Sequence, residues 1–276
     1  MSDRFEFEGR TAIVTGAASG IGAALAEGLA GRGCNLILTD IEANGLALVA
    51  ERVRRPGMTA ETHAFDVGDA QAVKAFARTV AAKHDEVHLL FNNAGVAVGG
   101  TFERTSEADF DWLMGINFQG VVRMTRAFLP VMKRSGEAQI VNISSIFGII
   151  APAGQTAYSS AKFAVRGFSS ALRHELHGTP IGVTTVHPGG IATNIADRAR
   201  MPADASEAEI ADGKDRARRS LVMPPPEAAE IILRGVERRR ARILVGRDAH
   251  TLAILERLFP VTYWGAVQRF LAPKTD

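Results

Sequence analysis

Cysteine is almost missing from this chain of 276 residues: Cys34 stands alone, so no internal disulfide can form. No apolar run approaches the ~20 residues that a membrane-spanning helix requires, so no helical span is expected. Charge of one sign is not in excess either. With 32 Lys and Arg against 30 Asp and Glu, the formal net charge of +2 gives no pull toward nucleic acid. The opening Met1-Ser2-Asp3-Arg4-Phe5-Glu6-Phe7-Glu8 lacks the charged-then-apolar pattern of an export signal, and a reducing, cytoplasmic setting is the expectation. What is present, 46% hydrophobic and 22% charged residues, suits one large α/β domain with a substantial core.

The chain repeats a strand-then-helix rhythm. Arg10 to Thr15 ends in the apolar run Ala12-Ile13-Val14, and Gly16-Ala17-Ala18-Ser19-Gly20-Ile21-Gly22 leads into an alanine- and leucine-rich helix through Ala30. Strand, glycine turn, helix is the order that a phosphate cradle needs, because glycines let the backbone approach a pyrophosphate seated at a helix N-terminus. A glycine-rich turn also serves as a plain tight connection. Asn35 to Thr39 reads as a second strand with Asp40 at its end, where a carboxylate accepts from both adenosine ribose hydroxyls and repels a 2′-phosphate. NAD is therefore expected over NADP, and no basic residue lies between Gly16 and Gly22 or directly after Asp40 to say otherwise. Asp40 could equally cap the helix Glu42 to Arg55. Further turns of the rhythm follow: a strand Thr59 to Phe65 ending in Asp66-Val67, a helix Asp69 to His84, and a strand Val87 to Phe91. Asn92-Asn93-Ala94-Gly95 closes that strand, either as an ordinary turn or as a flat seat for a nucleotide. A doubly wound parallel sheet is the economical fold.

Tyr158 and Lys162 are four apart in a helical pattern running to His177, so they share a face, and a cation fixed beside a phenol stabilises the phenolate and lowers its pKa. A surface pair would look the same. Ser144 and Ser145 follow the apolar strand Gln139 to Ile143, and read as turn caps or as a hydroxyl donor to substrate. A helix capped by Ser106 runs through Asn117 toward Met132; Asn117 is a poor helix former, and Pro130 predicts a kink or an end.

Thr15-Gly16-Ala17-Ala18-Ser19-Gly20-Ile21-Gly22, Asn92-Asn93-Ala94-Gly95, Asn117, Ser145, Tyr158-x-x-x-Lys162 and Pro188-Gly189, in that order, resemble the short-chain dehydrogenase/reductase family over roughly residues 8 to 195. The resemblance implies a single-domain, Rossmann-like α/β fold, a doubly wound parallel sheet with helices on both faces, and a homodimer or homotetramer. It also implies hydride transfer between a nicotinamide cofactor and a small molecule, with Asn117, Ser145, Tyr158 and Lys162 as catalytic residues. Ser145 rather than Ser144 is selected because the family's serine lies thirteen residues before the tyrosine. The cofactor-binding residues it implies are Gly16, Ser19, Gly20, Ile21, Gly22, Asp40, Asp66, Val67, Asn93, Ala94, Gly95, Tyr158, Lys162, Pro188, Gly189, Ile191 and Thr193, with no metal.

Residues 196–226, charged and alanine-rich, occupy the place of the family's substrate lid, and a helix Glu227 to Arg240 and a last strand Arg242 to Val245 follow. Residues 248–276 form an apolar, aromatic tail expected to cover the substrate cleft or a partner subunit rather than rest on a membrane. Phe147, Ile149, Ile150 and Pro152, after Ser145, suggest a cleft for a lipophilic secondary alcohol or ketone. The rival readings are an NADPH-dependent 3-oxoacyl reductase and a dinucleotide-binding scaffold without turnover.

Overall fold

The computed structural model describes residues 4–271, excepting the side chains at 266 and 269–271. Seven strands form one sheet: β1 Thr11–Thr15, β2 Asn35–Asp40, β3 Ala60–Ala64, β4 Leu89–Asn92, β5 Ala138–Ile143, β6 Ile181–Pro188 and β7 Arg242–Val245, in the order β3-β2-β1-β4-β5-β6-β7. All neighbouring pairs are parallel, with Ile13 of β1 opposite Ile37 on one side and Leu90 on the other. β1, β4 and β5 are buried along their whole length, as strands covered on both faces must be. The polar β3, Ala-Glu-Thr-His-Ala, stands at an edge, where a half-exposed strand is tolerable.

Helices cover both faces. α1 Gly20–Ala30, α2 Ala43–Val53 and, much later, α8 Pro225–Glu237 pack one face through Leu25, Val49 and Ile232. α3 Ala70–Ala81, α5 Val121–Arg134 and α6 Thr156–Glu175 pack the other through Phe76, Phe128 and Leu172. α4 Glu107–Met114 opens with Ser106 accepting from Asp109 N at 3.1 Å and gives way to one π-helical turn, Gly115–Gly120, before α5 begins. That wide turn carries Asn117. Of the kink or end expected at Pro130, the end does not occur: α5 runs four residues further, with Pro130 on its exposed side.

The stretch 196–226 holds a helix the sequence reading did not anticipate, α7 Glu207–Ser220, fixed by a capping box between Ser206 and Glu209. None of its residues is buried. The tail forms α9 Arg247–Leu258 and α10 Tyr263–Leu271. Ala249, Leu252, Ala253 and Tyr263 pack on Ile146, Ile149 and Ile150, so the tail backs the segment just after Ser145. Phe270 and Leu271, also assigned to the apolar tail, lie outside the described side chains. Among the described residues no helix is long and apolar enough to cross a membrane.

Candidate active site

The strand order reverses between β1 and β4, and parallel sheets leave a crevice beyond the strand ends at such a point. Around it the chain builds a cradle. Gly16 and Gly20 adopt φ of +65° and +55°, which residues with a Cβ rarely take, and α1 starts immediately after. Ser19 precedes α1 without using its hydroxyl as a cap, and no acidic residue sits in the helix's first turn. The helix N-terminus thus keeps its positive end and a spare hydroxyl for an anion. Thr193 reaches over from the loop after β6, its Cγ2 3.0 Å from where a Cβ on Gly20 would lie. A dinucleotide pyrophosphate fits this setting.

Asn93 ties β4 to the cradle: its Nδ2 donates to Thr15 O at 2.9 Å and Gly16 O at 3.2 Å, while Thr15 Oγ1 accepts from Asn93 N and Ala94 N, both at 2.9 Å. Asp40, at the end of β2, accepts from Ala18 N at 2.9 Å and Glu42 N at 3.1 Å, so it braces the glycine loop and the turn ahead of α2, whose N-cap, Glu42, makes no side-chain cap bond. Asp66 turns its Oδ1 to Gly68 N at 2.7 Å. Val67 is 6% exposed and packs toward Gly120, which leaves only its backbone for a nucleotide.

Ser145, Tyr158, Lys162 and Asn117 converge at the ends of β4 and β5. A Cβ on Gly95 would lie 3.3 Å from Asn117 Oδ1 and 3.6 Å from Lys162 Nζ, so Gly95 sits directly against both. Asn117 is fully buried and clamps Val96, donating to its carbonyl and accepting from its amide, each at 2.8 Å. Lys162 Nζ donates to Ile143 O at 3.0 Å and lies 5.5 Å from the Tyr158 ring centre. Burial pulls the Lys162 ammonium down to about 8. It also pushes the Tyr158 phenol up to about 12, with the Ser145 hydroxyl hydrogen-bonding close enough to pull it part of the way back. The sequence predicts a phenol lowered by its lysine; in the folded chain burial raises it instead and Ser145 is the neighbour that draws it back, a factor that helical spacing does not carry. Ser144, the other serine, donates to Lys162 O at 2.8 Å and supports the turn.

Two apolar residues expected in the cleft are elsewhere. Ile149 and Ile150 are each 2% exposed and face the tail. Phe147 stays at the site, edge-on to Tyr158 with ring centres 6.2 Å apart. Beyond Pro188 and Gly189, Ile191 is buried and bridges to Met223, and Gly190 O accepts from Val222 N and Met223 N at 3.0 Å, so the end of the 196–226 stretch is stitched to this loop. The start of the stretch is held on the other side, Arg200 lying 3.6 Å above the Trp112 ring and pairing with Asp109, while Arg104 pairs with Asp204 and Glu209.

Sequence reasoning missed His187 and Asp248. His187 Nδ1 meets Ser145 O at 2.9 Å, and Asp248 accepts from Gly190 N at 2.7 Å, pinning the loop from the start of α9. Both contacts join distant segments, and only the position of His187 beside Pro188 offered a hint.

A family model described as short chain dehydrogenase matches residues 10–203. A Mycobacterium tuberculosis protein named as the oxidoreductase SadH is 41% identical over 266 residues, covering 93% of each chain. Among solved structures, a short chain dehydrogenase/reductase from Burkholderia phymatum in complex with NAD superposes with a TM-score of 0.85 at 31% identity, covering 99% of this chain and 98% of its own. A metagenomic short-chain oxidoreductase in complex with NADP gives 0.70 at 29% identity over 87% of this chain and 98% of its own.

Proposed function

The chain belongs to the short-chain dehydrogenase/reductase family of oxidoreductases, and we propose that it oxidises a lipophilic secondary alcohol, or reduces the matching ketone, with NAD as its cofactor. The observation that carries this reading is the chain of contacts from Ser145 to Tyr158, from Tyr158 to Lys162, and of Lys162 and Asn117 against Gly95. Screening NAD-dependent turnover over apolar secondary alcohols, with polyols as the contrast, tests it; activity confined to polyols ends the lipophilic reading.

Bound NAD supplies the hydride acceptor, and the residues of the chain handle the oxygen and its proton. In the oxidation direction Ser145 Oγ holds the substrate oxygen beside Tyr158, and Tyr158 Oη takes the hydroxyl proton as the C–H hydride departs. A substrate oxygen seated between these hydroxyls keeps water away from the half-buried phenol. Lys162 is charged below about pH 8, and its ammonium favours the phenolate that this transfer requires. Asn117 fixes Val96 and Gly95 beside that ammonium, and its place in a π turn supports a relay of the proton toward solvent.

NAD rather than NADP follows from Asp40, whose carboxylate stands at the end of β2 with no basic residue in the glycine loop to meet a 2′-phosphate. Asp40→Ala is expected to lower the ratio of NAD to NADP efficiency by about 10- to 100-fold, the scale of charge-assisted hydrogen bonds. Because Asp40 also braces Ala18, the ratio is the proper readout: damage to the loop enters both efficiencies and cancels.

Residues 196–226 act as the substrate lid in this reading, with Met201 against Gly99 and Pro202 against Gly100 as its apolar underside. Its helix α7 buries nothing; Arg104 pairs with Glu209 in its first turn and with Asp204 just before it, and Arg200, earlier in the stretch, pairs with Asp109 of α4. Arg104 draws the Glu209 carboxyl down to about 2, so this pair persists until strongly acid pH. Exposed pairs are individually weak and screened by salt. Arg104→Gln should therefore raise the substrate KM only by about two- to fivefold, leave kcat undiminished, and blunt the rise of KM with added salt; steady-state kinetics at two ionic strengths check it.

A further inference from the structure

We propose that His187 is a positioning residue for Ser145: its imidazole Nδ1–H holds the Ser145 carbonyl and so aims the Ser145 hydroxyl at Tyr158. The inference rests on the reading of Ser145 and Tyr158 as the pair that handles the substrate oxygen.

The geometry begins in the sheet. β5 and β6 run in register to Ile143 opposite Val186, and Ser144 N donates to Val186 O at 2.8 Å. The next rung of a parallel ladder would use the amide of Pro188, which has no N–H to give. Backbone pairing therefore runs out at the serine pair, the point where the site needs a fixed main chain. His187 supplies a side-chain tie one residue beyond that lost rung, its Nδ1 2.9 Å from Ser145 O. A carbonyl only accepts, so the nitrogen facing it carries the hydrogen. The ring is 1% exposed, and Lys162 and Arg166 on α6 and Arg242 on β7 are the charged groups around it. Burial, joined by those cations, pulls its pKa down to about 4, so the imidazole is neutral at working pH and brings no competing charge to the site.

What it holds separates this contact from an ordinary satisfied core histidine. Ser145 has an extended backbone (φ −165°, ψ 167°), and its Oγ already accepts from Phe147 N at 3.1 Å, so the hydroxyl's direction follows the main chain. A shift of that carbonyl carries the hydroxyl with it. Ser145 in turn draws down the phenol of Tyr158, so a displaced serine leaves a mark on the tyrosine.

The chain contains only two tyrosines, Tyr158 and Tyr263, so 13Cζ-tyrosine NMR gives two signals, assigned by the one lost in Tyr158→Phe. In His187→Phe, which fills the ring's space without a donor, the Tyr158 signal should move toward its position in Ser145→Ala. kcat should fall by about 10- to 100-fold, the scale of a small misplacement at a reacting centre, with NAD affinity within twofold. His187→Asn, whose amide nitrogen overlies Nδ1, should restore both signal and kcat. If His187→Phe does not fold, His187→Gln, whose amide overlies the other ring nitrogen, takes its place as the variant that fails to restore. A Tyr158 signal unmoved in the donor-free variant, or an Asn variant no better than it, overturns the assignment. A wild-type protein that turns over no alcohol or ketone counts against the proposed function instead, and the tyrosine signal still decides the role of His187.

Discussion

Tyr158→Phe is expected to lower kcat/KM for alcohol oxidation by about 10³-fold or more, within the range that a positioned acid or base contributes. The substitution removes one oxygen and leaves the ring, which stays edge-on to Phe147 and within reach of Lys162. Packing should therefore survive, with the melting temperature within a few degrees of wild type. Tyr158 also stands among the cofactor-binding residues implied by the resemblance, so NAD affinity should fall by about fivefold at most, the cradle at Gly16 to Gly22 lying on another loop and keeping its contacts. The loss should appear in kcat, because the phenol acts on the proton in flight rather than on binding. Comparable turnover in the Phe variant would remove Tyr158 from the reaction and send the search to Ser145 or to solvent. The buried setting also fixes the sign of one pH effect. Phenolate forms more readily while Lys162 is charged, so any rise of oxidation rate with pH that depends on the pair should flatten once pH passes about 8 and the ammonium is lost.

The features readable in the sequence are those whose partners are near in the chain or set by a repeating pattern. Tyr158 and Lys162 meet because a helix returns every four residues to the same face, and the glycine loop is legible because strand, turn and helix are contiguous. The alternation of strand and helix implies the parallel sheet by itself. Contacts that close across the sheet were not readable: His187 reaches Ser145 over 42 positions, and Asp248 reaches Gly190 over 58. Electrostatics escaped for the same reason, since spacing places a lysine near a phenol but says nothing of the burial that raises one pKa and lowers the other. Ile149 and Ile150 were read as cleft residues because they follow Ser145, and a tail a hundred residues further along covers them instead. The capping box of α7, Ser206-x-x-Glu209, is written in the sequence, but its charged surroundings conceal a helix that buries nothing.

Gly22→Ala should weaken NAD binding by about 100-fold or more, ~2.7 kcal/mol, although it adds one methyl group at a buried site. Gly22 lies in the first turn of α1, and a Cβ there would overlap the Gly16 carbonyl and come within 2.6 Å of Asn93 Nδ2. Neither neighbour can yield freely. Gly16 holds a left-handed turn at φ +65°, and Asn93 Nδ2 is committed to Thr15 O and Gly16 O. The helix must back away from the loop, and its N-terminal amides leave the place where a pyrophosphate would sit. Overpacking of this kind costs about 1–3 kcal/mol of stability, so thermal melting should show a modest loss while calorimetric titration with NAD shows a large one. That disproportion is the test. A variant that loses stability but binds NAD as wild type does would mean the cofactor draws its affinity from elsewhere, leaving the glycine loop as a tight connection and nothing more.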